Sequence, residues 1–471
     1  MPIRAITRGL LALVLAVPAA AHAQTPPAGL ARLLPELILR EITLPTPTTP
    51  GLSHAAHFSP LNPEGSADNP AVDIVSGFNA LLIGQLASLP LGTSAGGFTY
   101  AFDPALGTFS RTSRSFGPSF AERAATIGKQ RMSAGFSYQH TSYSRFEGQP
   151  LDDGSIRFYL HHEECCTVGG PPVPPFFGVV TNPDGSRLTP FFEGDVIEAA
   201  LSLDVNTDTV AFFGNYGVTD RWDVGIAVPV VRVDVEASVL ATILRLSTGP
   251  NPFIHTFEAG NPNATQRTFS RSGSATGLGD LVLRTKYRFF GDTRGALAAA
   301  IDARLPTGDE ENLLGGSAQT KLFLVASTGG DRLAQHVNVG YSFGGGREAG
   351  TLSSRSLPDE FTYAGGVEFV AAPQLTLIGD LVGRTLRGMG RLEIESKRFD
   401  FQPLDATQPP TSVHFDEFAQ RSGNLNLLFG TVGAKFNPAG DLLISGSVLF
   451  PLTDAGLKSR WTTVVGLDYT F

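Results

Sequence analysis

The sequence predicts an all-β fold, a transmembrane antiparallel β-barrel of about 14 strands, in a range of roughly 12 to 16, with an N-terminal, partly helical plug-like segment. Three observations predict it. Residues 277–290, GLGDLVLRTKYRFF, alternate so that Leu281, Leu283, Thr285, Tyr287 and Phe289 share one face while Asp280, Val282, Arg284, Lys286 and Arg288 share the other. From about residue 195 short and long connections take turns along the chain. The last residues, RWTTVVGLDYTF, place Trp461, Val465, Leu467, Tyr469 and Phe471 on one face, and the chain ends on that aromatic, as outer-membrane barrels do. A soluble two-sheet sandwich would also alternate, but it gives no reason for the regular change of loop length.

At the N-terminus, Arg4 and Arg8 precede an apolar run, Leu10 to Val17, and a small-residue site, Ala21-His22-Ala23. Residues 1–23 are therefore expected to be a secretory signal peptide. The run is too short to cross a membrane as a helix, and no later stretch of about 18 apolar residues exists. Removing Arg4 and Arg8 takes the formal net charge from −9 to −11, and an acidic chain without a basic patch is a poor nucleic-acid binder. Bulk hydropathy does not discriminate: the mean is +0.05, because alternating strands average out their polarity. The 53 glycines and 33 prolines point to many turns. The two cysteines, Cys165 and Cys166, are adjacent, so no cross-linked framework is possible within the chain.

Residues 24–95 are set apart as an N-terminal segment, a possible barrel plug, and residues 96–471 as the barrel. In LARLLPELILREITL the leucines and isoleucines fall at helical spacing around Pro35, which predicts a short kinked helix. A second helix is predicted up to Leu89, weakened by Gly77 and Gly84. Residues 96–111 read as a hairpin around Asp103-Pro104. Wall strands are then expected near 107–115, at 131–146 and at 154–162, the last two joined near Pro150 to Asp153.

Downstream, the short turns are Thr219-Asp220-Arg221, Gly291 to Arg294, Gly329 to Arg332, Ala372-Pro373-Gln374 and Asn437 to Gly440. Long connections lie around 247–272, 306–316, 345–358, 388–422 and 451–459. If the short turns are periplasmic, the final strand descends to leave Phe471 on that side. Residues 196–218 would run roughly 75 Å as one strand, far taller than the ~25 Å apolar band. Their alternation slips near Asn206-Thr207-Asp208, and that of the next strand at Pro229; a bulge is expected at each, with the upper part of the first strand above the membrane.

The block from 277 to 309 resembles the outer-membrane transporter family named after the meta-pathway of phenol degradation. The matching residues are Gly277, Gly279, Asp280, Lys286, Tyr287, Leu305, Pro306, Thr307, Gly308 and Asp309, and NYGVTDRWDVGIAVPVV, Asn215 to Val231, fits the same family. The resemblance covers roughly residues 195–471 and implies a barrel in the style of the long-chain fatty-acid channel, with no catalytic residues to carry over. The expected function is an outer-membrane channel or transporter passing small, hydrophobic or aromatic molecules by passive diffusion. The alternatives are a structural or adhesive surface barrel and an outer-membrane lipid or ester hydrolase, although no GxSxG-like elbow or marked Ser/His pair is present.

On the barrel reading Arg284, Lys286, Arg288, Asp302, Arg304, Asp380 and Arg384 face the lumen. There they either brace the wall as cross-strand pairs or form a cationic lining that favours anions. No catalytic, cofactor or metal site is expected. HHEECC at 161–166 contains metal-ligand types, but in an extended chain His161 and Glu163 point away from His162 and Glu164, which favours a polar outer loop. The expected partners are outer-membrane lipids and lipopolysaccharide, the barrel-assembly machinery reading the strand that ends at Phe471, and a small-molecule substrate. A monomer in the outer membrane of a Gram-negative bacterium is expected.

Overall fold

The computed structural model describes residues 29–44, 70–86, 97–103, 108–161, 180–181, 187–188, 194–247, 255–292, 295–330, 332–344, 357–403, 405 and 407–471. The expected signal peptide and residues 162–166 of the HHEECC stretch lie outside them. Among the described residues the wall strands are β1 (Met132–Phe146), β2 (Val196–Thr219), β3 (Trp222–Leu244), β4 in two runs (Gln266–Leu278 and Leu281–Gly291), β5 (Gly295–Leu305) and β6 (Gln319–Gly329). They continue as β7 (Leu333–Phe343), β8 (Glu360–Ala372), β9 (Leu375–Leu386), β10 (Leu425–Phe436), β11 (Leu442–Pro451) and β12 (Leu457–Thr470). Each pairs antiparallel with the next, and β12 pairs with β1, closing a barrel of 12 strands and leaving no open edge in that ring. Phe471 N–H donates to the carbonyl of Met132, and Thr470 N–H to that of Asp441 in a short turn, so the chain ends on the short-turn rim.

The count sits at the low end of the expected range for two reasons. The run near 107–115 is not in the wall: Thr108–Arg111 pairs only with Tyr100–Asp103, as a hairpin of its own. Ile156–His161 pairs with β2 over Val196 to Leu201, at the top of that strand, and takes no place in the ring. The expected loop at 388–422 contains a further hairpin, Arg391–Phe401 with Thr411–Arg421.

The outer face of the wall is greasy. Leu283, Tyr287, Leu324, Val337, Val432 and Trp461 are all between 43% and 60% exposed, a surface that only lipid would cover in a stable monomer. On β2 and β3 this band ends part-way up. Val210, Phe212 and Tyr216 face outward low on β2, whereas Asp204, Asn206 and Asp208 do so above them; on β3, Ile226 and Val230 give way to Arg232, Asp234 and Glu236.

The two bulges expected here are absent. Pairing runs unbroken from Val196↔Leu244 to Gly217↔Asp223, with Pro229 opposite Ala211 and no shift until Thr219. The side chains therefore keep their phase, and the environments exchange sides. Below, lipid is outside and polar groups are inside. Above, water is outside and a packed core is inside, so the apolar residues Leu201, Leu203, Val205, Val233, Val235 and Val239 turn inward, each at most 2% exposed.

Two N-terminal pieces complete that core. Leu30–Glu41 is helical throughout, as successive 3-10, α and π turns around Pro35, and Pro70–Leu86 is an α-helix. Leu33, Leu37, Ile38, Val75 and Phe78 are fully buried in the same apolar cluster as the upper wall. The Phe78 ring meets Phe146 edge-on at 4.6 Å and Phe158 at 5.8 Å. Arg271 of β4 is paired with Glu36 and with Glu41.

Candidate luminal site

Residues 112–131, between the hairpin and β1, form almost no regular structure and cross the lower interior. Irregular backbone at membrane depth is tolerable only where protein satisfies its polar groups. The inward faces of the strands do this bond by bond. Glu368 accepts from Gly117 N–H (2.8 Å), and Asp380 Oδ2 from Ser119 and Phe120 N–H (2.9 and 2.7 Å). Asn338 accepts from Glu122 N–H (2.6 Å), Ser327 Oγ from Ala124 N–H (2.8 Å) and Asp223 from Ile127 N–H (3.0 Å). Two lysines take the carbonyls: Lys286 Nζ donates to Arg123 and Ala125 (3.1 and 3.0 Å), Lys435 Nζ to Phe116 and Pro118 (3.2 and 2.8 Å).

The lumen-facing candidates divide by partner. Arg284 grips Asp302 through two bonds of 2.6 Å and reaches Glu122 of the inner segment at 2.7 Å. Lys286, 4% exposed, pairs with the same Glu122 at 3.1 Å, and Asp380 holds Ser119 and Phe120. Arg384 binds Glu360 through bonds of 2.6 and 2.7 Å. Arg304 stands near Asp280, beside a cavity of about 50 Å³ whose lining includes Leu86, Val231, Leu313 and Leu314. Arg288 lies at the short-turn rim and donates to the carbonyls of Gly291 and Asp220.

The two halves of the 277–309 block form one local structure. Asp280 sits where β4 breaks, and its carboxylate accepts from the N–H groups of Gly308 (3.0 Å), Gly316 (2.7 Å) and Ser317 (3.3 Å). Thr307 Oγ1 donates to the Gly279 carbonyl (2.7 Å) and accepts from Leu281 N–H (3.0 Å). The connection between β5 and β6 is thereby folded inward, burying Leu313 and Leu314. Gly315 has to be glycine: its φ is +125°, and a Cβ there would stand 2.8 Å from the Asp280 carboxylate.

Sequence reasoning missed Glu122, Asp223, Ser327, Glu368 and Lys435. On the strands they were findable as inward polar positions. Their partner segment has no periodicity, so nothing marked it as interior. Ser327, His336 and Glu368, on three neighbouring strands, form a chain: Ser327 Oγ lies 2.8 Å from His336 Nδ1, and His336 Nε2 lies 2.5 Å from Glu368 Oε1. His161 pairs with Glu417 at 3.0 Å, and among the described residues no group of three metal-ligating side chains occurs.

Outside the spanning strands, Tyr100 of the hairpin is pushed up to about 12 by burial and by its 2.5 Å bond to Asp441. Burial raises the Asp441 carboxyl, but bonds from Tyr100 and Arg111 outweigh it and hold the group below the usual carboxylate range.

No curated protein matches the chain. Solved structures similar to it include an outer membrane channel from Pseudomonas putida F1 (11% identity, TM-score 0.39, covering 74% of this chain and 98% of that one). Others are the toluene transporter TbuX of Ralstonia pickettii (12% identity, TM-score 0.33, 82% and 99%) and the toluene transporter TodX of P. putida (11% identity, TM-score 0.34, 82% and 99%). Likeness this low adds nothing to the strand register above. The family described as "Putative MetA-pathway of phenol degradation" matches residues 193–380, and that stretch, from β2 into β9, carries the family resemblance of this barrel.

Proposed function

We propose that the protein is an outer-membrane channel that passes small hydrophobic or aromatic molecules by passive diffusion, and that it is described here in its shut state. The observation that carries this reading is the interior itself: a closed wall, apolar outside, whose inward charges are spent on an irregular inner segment. A wall of 12 strands is wider than the roughly eight whose side chains fill a barrel directly, so the inner segment stands where an open lumen would otherwise be. On this reading residues 24–95 act as an upper plug, residues 112–131 as a lower one, and the inward charges line the passage once the stoppers shift. Membrane lipid covers the apolar band, and the strand ending at Phe471 carries the signal for barrel assembly.

The test is entry of radiolabelled toluene into intact Gram-negative cells, whose lipopolysaccharide leaflet slows apolar solutes, with and without the protein. Faster entry with the protein is expected; equal rates would refute the channel.

The Ser327–His336–Glu368 chain favours a second reading, a hydrolase. One feature weighs against it: the Ser327 hydroxyl already accepts from Ala124 N–H of the inner segment (2.8 Å), although a cavity of about 610 Å³ lies beside His336. We read the chain as a clasp for the inner segment. Labelling of Ser327 by a fluorophosphonate would reverse that choice.

A further inference from the structure

Resting on the channel reading, we infer that Lys321 is a specificity-determining residue that holds the carboxylate of an aromatic acid on its way through the lumen. Register places Arg284, Asp302, Lys321, Ser342 and Glu360 in one row around the inner wall. The carboxylates of this layer are already committed. Asp302 is held by two bonds from Arg284 and Glu360 by two from Arg384, while Asp280 accepts three N–H groups of the inward loop. The Lys321 ammonium forms no ion pair or hydrogen bond with a described residue; it lies over the Phe323 ring, 5.0 Å from its centre. A half-buried ammonium so placed, with its neighbouring carboxylates engaged, has donors to offer an incoming anion.

Arg304 is drawn to the same Asp302 and Glu360 as Lys321, and it lines the cavity whose other walls are largely apolar. An anionic head at the Lys321 ammonium and an apolar ring toward Leu313 and Leu314 would match both surfaces. At about 50 Å³ the cavity takes water, not a ring, which needs roughly 150 Å³. Occupancy therefore requires the inward loop to back away.

The experiment is equilibrium dialysis of purified full-length protein in detergent against radiolabelled benzoate and its uncharged isostere benzamide. Benzoate is expected to bind roughly tenfold more tightly, a preference lost in Lys321→Gln and kept in Lys321→Arg. Equal binding of the two probes, absence of benzoate binding, or a preference that survives Lys321→Gln would each overturn the inference. The wild-type comparison decides even if a variant fails to fold. Toluene entry is read separately, so failure of the channel reading and failure of this one give different results.

Discussion

Lys286 and Lys435 each spend one ammonium on two backbone carbonyls of the same inner segment, and Lys286 also carries Glu122. Removing one such partner strands buried polar groups. Lys286→Met is expected to cost about 3–5 kcal/mol locally, because buried Glu122 loses the ammonium that pairs with it at 3.1 Å. Proteolysis of folded protein should then cut within residues 112–131, where the parent chain resists. The hairpin below has a pH dependence of known sign. Asp441 is held below its unfolded value, so its bonds to Tyr100 and Arg111 contribute fully above the ordinary carboxylate pKa and are lost as pH falls through the depressed one. Acidification should accordingly expose the hairpin 100–111 to amide exchange, and Asp441→Asn should flatten that response. Single residues were the least legible part of the sequence. Arg284, Lys286 and Asp380 could be placed on the polar face by alternation alone, but their partners Glu122, Ser119 and Phe120 lie on a stretch without period.

At the scale of elements, the Asp280 clasp ties the break in β4 to the connection between β5 and β6. Asp280→Ala frees three N–H groups at once, and Leu313 and Leu314 are expected to leave the interior. Faster uptake of small solutes, with the folded barrel's gel mobility unchanged, would show it; unchanged uptake would mean that the loop does not obstruct. Strands were legible because each shows two environments in alternation. The helices near residues 30–41 and 70–86 were legible for a similar reason, the helical spacing of their leucines; the expected end of the second at Leu89 lies outside the described residues. What could not be read was membership of the ring. Ile156–His161 and Thr108–Arg111 alternate like wall strands, yet pairing partners are not encoded in periodicity.

For the whole molecule, the exchange of environments along β2 and β3 makes a direct comparison possible. Leu324, 60% exposed at the middle of β6, faces hydrocarbon, and Leu324→Arg is expected to destabilise the barrel by about 2–4 kcal/mol. Glu236→Arg, also outward but above the band, should change stability by no more than about 0.5 kcal/mol. Urea unfolding in lipid vesicles compares the two; similar losses would mean that the upper wall also meets lipid. The fold class was legible because turn lengths and the greasy face depend on the solvent outside. The apparent slips at Asp208 and Pro229 misled because a change of solvent along one strand looks, in sequence, like a change of phase.

Every residue that fills the interior from Leu30 to Gln130 precedes the first wall strand, and the ring is sealed by β12 against β1. A filling that docks first would have the seam zip up around cargo already aboard. Truncating the leader should let closure proceed on an empty cylinder, so the folding rate in vesicles would report whether the filling guides the zipper or hinders it.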